Sequence, residues 1–310
     1  MADMTLKGLG VALVTPFRQD KTVDFEALRR MVEYVIEGLC DYIVVLGTTG
    51  ETPALFPEEK EAIRKEIIKT NAGRVPLVLG VGGNNTQLVV NELKNTDFTG
   101  FNAILSVVPF YNKPSQEGIY RHYAEIAKAS PLPVILYNVP GRTGVNMTAA
   151  TTLSLARDFE NIIGVKEASG NFAQIEEIIK NKPEKFEVIS GDDSITYPLM
   201  TLGAVGVISV IGNAFPMEFG RMVRLCLEGK YQEALPIHWR FNELFSLLFV
   251  DGNPAGVKCA LNALGLIENE LRLPLVPTRL STNEKIHNLI SQLYTPSPSE
   301  ESFGIRRITY

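Results

Sequence analysis

The stretch Ile162-Ile163-Gly164-Val165-Lys166-Glu167-Ala168-Ser169 decides how this chain folds. Its first half is apolar without alternation, as expected of a parallel strand covered on both faces. Its second half turns polar, and Asn171-Phe172-Ala173-Gln174 then offers an asparagine cap for a helix. Seven more β-rich apolar runs lie at residues 9–14, 42–46, 77–81, 103–108, 134–137, 186–189 and 205–210. Between them the periodicity is helical. Residues 25–36 carry apolar side chains at Phe25, Leu28, Met31, Val32, Val35 and Ile36, and residues 57–70 open on Pro57-Glu58-Glu59, with proline and acids in the first turn.

Eight strand–helix units in this length match a (β/α)8 TIM barrel, whereas a doubly wound open sheet usually has fewer strands. The barrel is predicted over residues 1–229. Beyond it the strand runs stop, and helical patterns at 231–248, 254–265 and 283–293 predict a C-terminal helical domain over 230–310. Its end, Thr295-Pro296-Ser297-Pro298-Ser299-Glu300-Glu301-Ser302, is polar and broken by proline, and reads as a loose tail.

The 310 residues are 45% hydrophobic, enough for a sizeable core, and the net charge of −5 lacks any basic run suited to nucleic acid or an anionic membrane. Residues 1–7 lack a signal pattern and no apolar run approaches a bilayer span, so the chain reads as cytoplasmic. Cys40, Cys226 and Cys259 are too few and too scattered for a disulfide framework, and His122, His238 and His287 stand alone, so neither a metal nor a cofactor is expected.

In a barrel of this kind the chemistry sits at the C-terminal ends of the strands. There the sequence places Gly47-Thr48-Thr49-Gly50-Glu51, Pro109-Phe110-Tyr111-Asn112, Tyr137-Asn138-Val139-Pro140-Gly141-Arg142-Thr143-Gly144, Lys166, and Ser190-Gly191-Asp192-Asp193. An ammonium threaded through an apolar run sheds hydration, which favours the neutral, nucleophilic amine able to form a Schiff base with a ketone. The competing reading of Lys166 is a buried stem with its head in water. Hydroxyls and amides between Gly47 and Gly50 suit a small carboxylate, though the same string makes an ordinary turn. Strand-end phenols at Tyr111 and Tyr137 relay protons when another hydroxyl holds them, although most strand-end tyrosines are merely amphipathic cover. Arg142 fits a carboxylate or a surface ion pair. Gly80-Val81-Gly82-Gly83-Asn84 lacks a phosphate fingerprint and reads as a turn, and Asp192-Asp193 as loop structure and a helix cap.

Together these motifs resemble the pyruvate-dependent class I aldolase superfamily, and within it the dihydrodipicolinate synthases, over almost the whole chain. The resemblance implies a lyase that condenses pyruvate with L-aspartate 4-semialdehyde on the route to diaminopimelate and lysine. It implies that Lys166 forms the imine, that Tyr137 is the proton-relay phenol, and that Thr48 links it to Tyr111, a tyrosine donated by a neighbouring subunit. Thr49 is implied as the pyruvate-carboxylate contact and Arg142 as the semialdehyde-carboxylate contact. Ile208 matches a position whose backbone carbonyl lies near the imine, and Gly191 is taken as substrate-binding. Arg142 separates this group from lyases acting on long neutral aldehydes; the alternative is another pyruvate-releasing 2-keto-acid aldolase. A homotetramer built as a dimer of dimers is expected.

Two departures stand out. Positions that bind inhibitory L-lysine in many bacterial synthases match Leu88, Phe110, Pro57 and Lys60 here, and a buried cation lacks its carboxylate at Leu88. Weak or absent lysine inhibition is therefore expected. Gly256 stands in Asn253-Pro254-Ala255-Gly256-Val257-Lys258, where the family more often has proline.

Overall fold

The computed structural model describes residues 4–294; the stretch read as a loose tail lies outside the described residues. Eight strands, β1 (Gly8–Ala12), β2 (Tyr42–Val45), β3 (Leu77–Gly80), β4 (Ala103–Val107), β5 (Val134–Asn138), β6 (Ile162–Glu167), β7 (Glu187–Ser190) and β8 (Gly206–Ser209), form one closed parallel barrel. Closure comes from β1, which pairs with both β2 and β8.

Around the barrel lie α1 (Phe25–Glu37), α2 (Pro57–Asn71), α3 (Thr86–Asn95), α4 (Gln116–Ala129), the single turn α5 (Pro140–Thr143), α6 (Ala149–Asp158), α7 (Phe172–Asn181), α8 (Asp193–Thr201) and α9 (Pro216–Leu227). The anticipated caps are present. The Asn171 side chain accepts from the Gln174 amide at the start of α7, and Asp192 accepts from the Ser194 amide at the start of α8. Asp193 does more than fill a loop, because its carboxylate accepts from the Val210 and Ile211 amides and ties the ends of β7 and β8 together.

Strand β6 runs two residues beyond the apolar string, because Lys166 and Glu167 continue the ladder opposite Tyr137 and Asn138. Glu167 is buried there, and among the described residues it has no cationic partner. It accepts instead from Asn138 Nδ2 at 3.0 Å, Gln174 Nε2 at 3.0 Å and the Ser169 amide at 3.0 Å. Burial pushes this carboxyl up from its usual value, and these hydrogen bonds oppose the push. The network locks the mouth ends of β5 and β6 in one register.

Apolar side chains fill two compartments. Ala12, Val44, Leu105, Ile135, Ile189 and Ile208 belong to the cluster inside the barrel, and a larger layer packs between strands and helices. The C-terminal region supplies α10 (Tyr231–Leu247), α11 (Ala255–Ala263) and α12 (Leu280–Tyr294). It docks through aromatic side chains: Phe241 lies 5.1 Å from Phe215, and Phe245 lies 5.8 Å edge-on to Phe219, measured between ring centroids. Among the described residues, no helix is long and apolar enough to cross a membrane.

A polar seam also joins the C-terminal region to the barrel. Lys258 on α11 reaches Glu51, just after β2, at 2.5 Å, with both side chains fully buried. Lys258 also donates to the Glu270 carbonyl at 2.8 Å and lies over the Phe17 ring. The Arg272 amide donates to Glu51 at 3.1 Å while its guanidinium grips both Glu59 oxygens at 2.6 Å.

Candidate active site

Strand alternation brings Tyr137 and Lys166 onto the barrel's inner face, and the β5–β6 ladder makes them direct register partners. The Lys166 Nζ lies 4.3 Å from the centroid of the Tyr137 ring. Lys166 is only 6% exposed, so the ammonium stands against an aromatic face at the mouth rather than out in water. Room for its stem comes from Gly191: a Cβ there would stand 3.0 Å from Lys166 Cε and 2.7 Å from Ala168 Cβ. Gly191 thus serves the site by lacking a side chain.

The segment after β2 winds into a 3-10 turn over Thr48–Gly50. The Gly50 and Glu51 amides close it onto the Gly47 and Thr48 carbonyls, and the Thr15 hydroxyl holds the Gly50 carbonyl at 2.8 Å. Among the described residues, the amides of Thr48 and Thr49 have no intrachain acceptor. Thr48 is exposed, whereas Thr49 is buried and its hydroxyl accepts from Asn253 Nδ2 at 3.0 Å.

Arg142 sits in the α5 turn, which starts at Pro140 and ends at Gly144 in the left-handed region (φ 74°). The Thr143 carbonyl of that turn accepts from the Tyr111 amide at 3.2 Å and so couples the β4 loop to it. Tyr111 itself is held at φ 73°, a conformation uncommon for a side-chain-bearing residue, and is 87% exposed.

Lys166, Tyr137, Thr48, Thr49, Arg142 and Gly191 all line one cavity of about 820 Å³ at the C-terminal mouth. Two sequence-predicted residues do not line it. Tyr111 stands outside, and among the described residues no hydrogen bond joins Thr48 to either tyrosine, so one chain does not complete the Tyr-Thr-Tyr relay. Ile208 is buried in the barrel interior opposite Gly10, and Val210, two residues on, reaches the cavity.

Asn253 also lines the cavity, although the sequence offered no local sign of it beyond an Asn-Pro pair. The four positions compared with a lysine site split: Phe110, Pro57 and Lys60 border the same cavity, while Leu88 is 64% exposed on α3.

The model of the dihydrodipicolinate synthetase family matches residues 5–293. A curated relative, the 4-hydroxy-tetrahydrodipicolinate synthase of Parabacteroides distasonis, is 66% identical over 293 residues, which span 94% of this chain and 99% of the relative. Among solved structures, a chloride-inhibited dihydrodipicolinate synthase from Acinetobacter baumannii complexed with pyruvate is 40% identical with a TM-score of 0.90, covering 93% of this chain and 99% of that one. A monomeric dihydrodipicolinate synthase variant is 38% identical with a TM-score of 0.90, over 93% and 96%.

Proposed function

The chain belongs to the dihydrodipicolinate synthetase family, and from that membership we propose that it condenses pyruvate with L-aspartate 4-semialdehyde through an imine on Lys166. The observation that carries this reading is the convergence of a shielded amine, a phenol in register with it, two threonines and an arginine on one cavity.

The Lys166 amine adds to the pyruvate ketone and water leaves, giving an imine that acts as an electron sink. A C3 proton is then lost and the enamine carbon attacks the aldehyde, whose oxygen takes up a proton to become a hydroxyl. Finally the product's own amine displaces Lys166 as the ring closes. Tyr137 is the acid–base group for these transfers, with the Thr48 hydroxyl on the same cavity as the next group of the relay. The amides of Thr48 and Thr49 and the Thr49 hydroxyl hold the pyruvate carboxylate, and Arg142 holds that of the semialdehyde. Gly191 keeps space for the lysine stem.

Tyr111, exposed and strained at its backbone, completes the relay in a neighbouring subunit. This calls for a dimer at least, and the assembly is a homotetramer. An isolated monomer with full activity would remove the assignment of Tyr111.

Incubation with pyruvate followed by borohydride reduction and peptide mass spectrometry tests the central step. The expected adduct lies on Lys166; an adduct elsewhere, or none, overturns the reading. Product formation after addition of aspartate semialdehyde tests the second substrate.

A further inference from the structure

Thr49 carries one proton and two lone pairs, and which of them faces the cavity depends on its buried neighbour. That neighbour is Asn253, 6% exposed, which comes from the loop between α10 and α11 and donates Nδ2 to Thr49 Oγ1 at 3.0 Å. The bond occupies a lone pair of the threonine and leaves its proton free to point elsewhere. With the amide reversed, Thr49 would spend that proton on Asn253 and present only a lone pair, which repels a carboxylate. Among the described residues, Asn253 Oδ1 is itself buried without a partner, so none of them consumes the amide in another role.

We infer that Asn253 is a positioning residue: by donating to Thr49 it directs the threonine's proton toward the carboxylate of the keto acid, making the C-terminal helical region part of keto-acid recognition. The inference rests on the function proposed above. The same region clamps this loop a second time through Lys258 and Glu51, so the two halves of the recognition element are held rigidly together.

Steady-state kinetics of the full chain test it. Asn253→Asp presents acceptors only and forces the reversed state, so the KM for pyruvate should rise roughly ten- to a hundredfold, as for loss of a hydrogen bond to a charged group. The KM for aspartate semialdehyde should stay within about twofold, since Arg142 is untouched. Asn253→Ser keeps a donor and should recover part of the loss. In a double-mutant cycle, Asn253→Ala added to Thr49→Val should cost little beyond Thr49→Val alone, because one residue acts through the other.

Pyruvate KM values unchanged in Asn253→Asp and Asn253→Ala, or additive effects in the cycle, overturn the inference while borohydride trapping on Lys166 in the parent keeps the reaction assignment. Failure of the parent to trap overturns both.

Discussion

Glu51 and Lys258 form a fully buried ion pair at 2.5 Å that closes the seam between the threonine turn and α11. Burial pushes the Lys258 amine down from its ordinary value, while Glu51 pulls it back up. Such a pair adds little net stability over a well-packed apolar pair, yet breaking it strands a charge.

Lys258→Met is accordingly expected to destabilise the fold by about 3–5 kcal/mol, and Lys258→Met with Glu51→Leu to recover much of that. Urea unfolding of the two variants checks this. Equal losses in the single and double variants would show that the pair does not act as a unit.

Tyr137→Phe retains the ring against which Lys166 Nζ stands at 4.3 Å and removes only the hydroxyl. A drop in kcat of about a hundredfold or more is expected, the usual scale for an acid–base group, with Lys166 still trapped by pyruvate and borohydride. Lys166→Met should abolish both trapping and turnover.

Gly256 now has a structural account. A Cβ at this position would stand 2.2 Å from the Leu248 carbonyl oxygen, and the Gly256 amide donates to the Gly252 carbonyl at 3.3 Å. Proline has no such amide to donate. Gly256→Ala is expected to cost about 1–3 kcal/mol by overpacking, and Gly256→Pro at least as much. Thermal denaturation decides, and an unchanged midpoint in both would refute the account.

Two buried groups oppose each other in acid. Burial lowers His122 from 6.5 to about 4, so its contribution is present above pH 6.5 and is lost as pH falls toward 4. Burial raises Asp193 from 3.8 to about 6, so its contribution is present below 3.8 and is lost as pH rises through 6. The two slopes partly cancel between pH 4 and 6. Asp193→Asn removes the falling one, and stability should then climb more steeply with pH across that window than in the parent. Midpoints measured from pH 4 to 7 test the sign.

Lysine inhibition should be weak or absent, because Leu88 offers no carboxylate to an ammonium and points its apolar surface outward. Half-inhibition by submillimolar L-lysine in a steady-state assay would contradict this.

The barrel was legible in the sequence for a definite reason. Strands covered on both faces must be apolar throughout, so each run stands out, and the polar residue closing each run is thereby placed at the mouth. The register of Lys166 with Tyr137 was not legible, since it depends on a ladder irregularity between Val134 and Ile135. Asn253 was less legible still. Its partner Thr49 is 204 residues away, and an asparagine before a proline carries no local mark of that contact.

Local chemistry therefore determined the fold class and the set of candidate reactive groups, because hydration, periodicity and side-chain type are properties each segment carries by itself. Tertiary structure alone decided the relations among them: that Gly191 yields space to Lys166, that Asn253 donates to Thr49, that Glu51 is matched to Lys258, and that Tyr111 faces outward. Each depends on distances of a few ångströms between segments far apart in the chain, set by how the barrel closes and how the C-terminal helices dock on it.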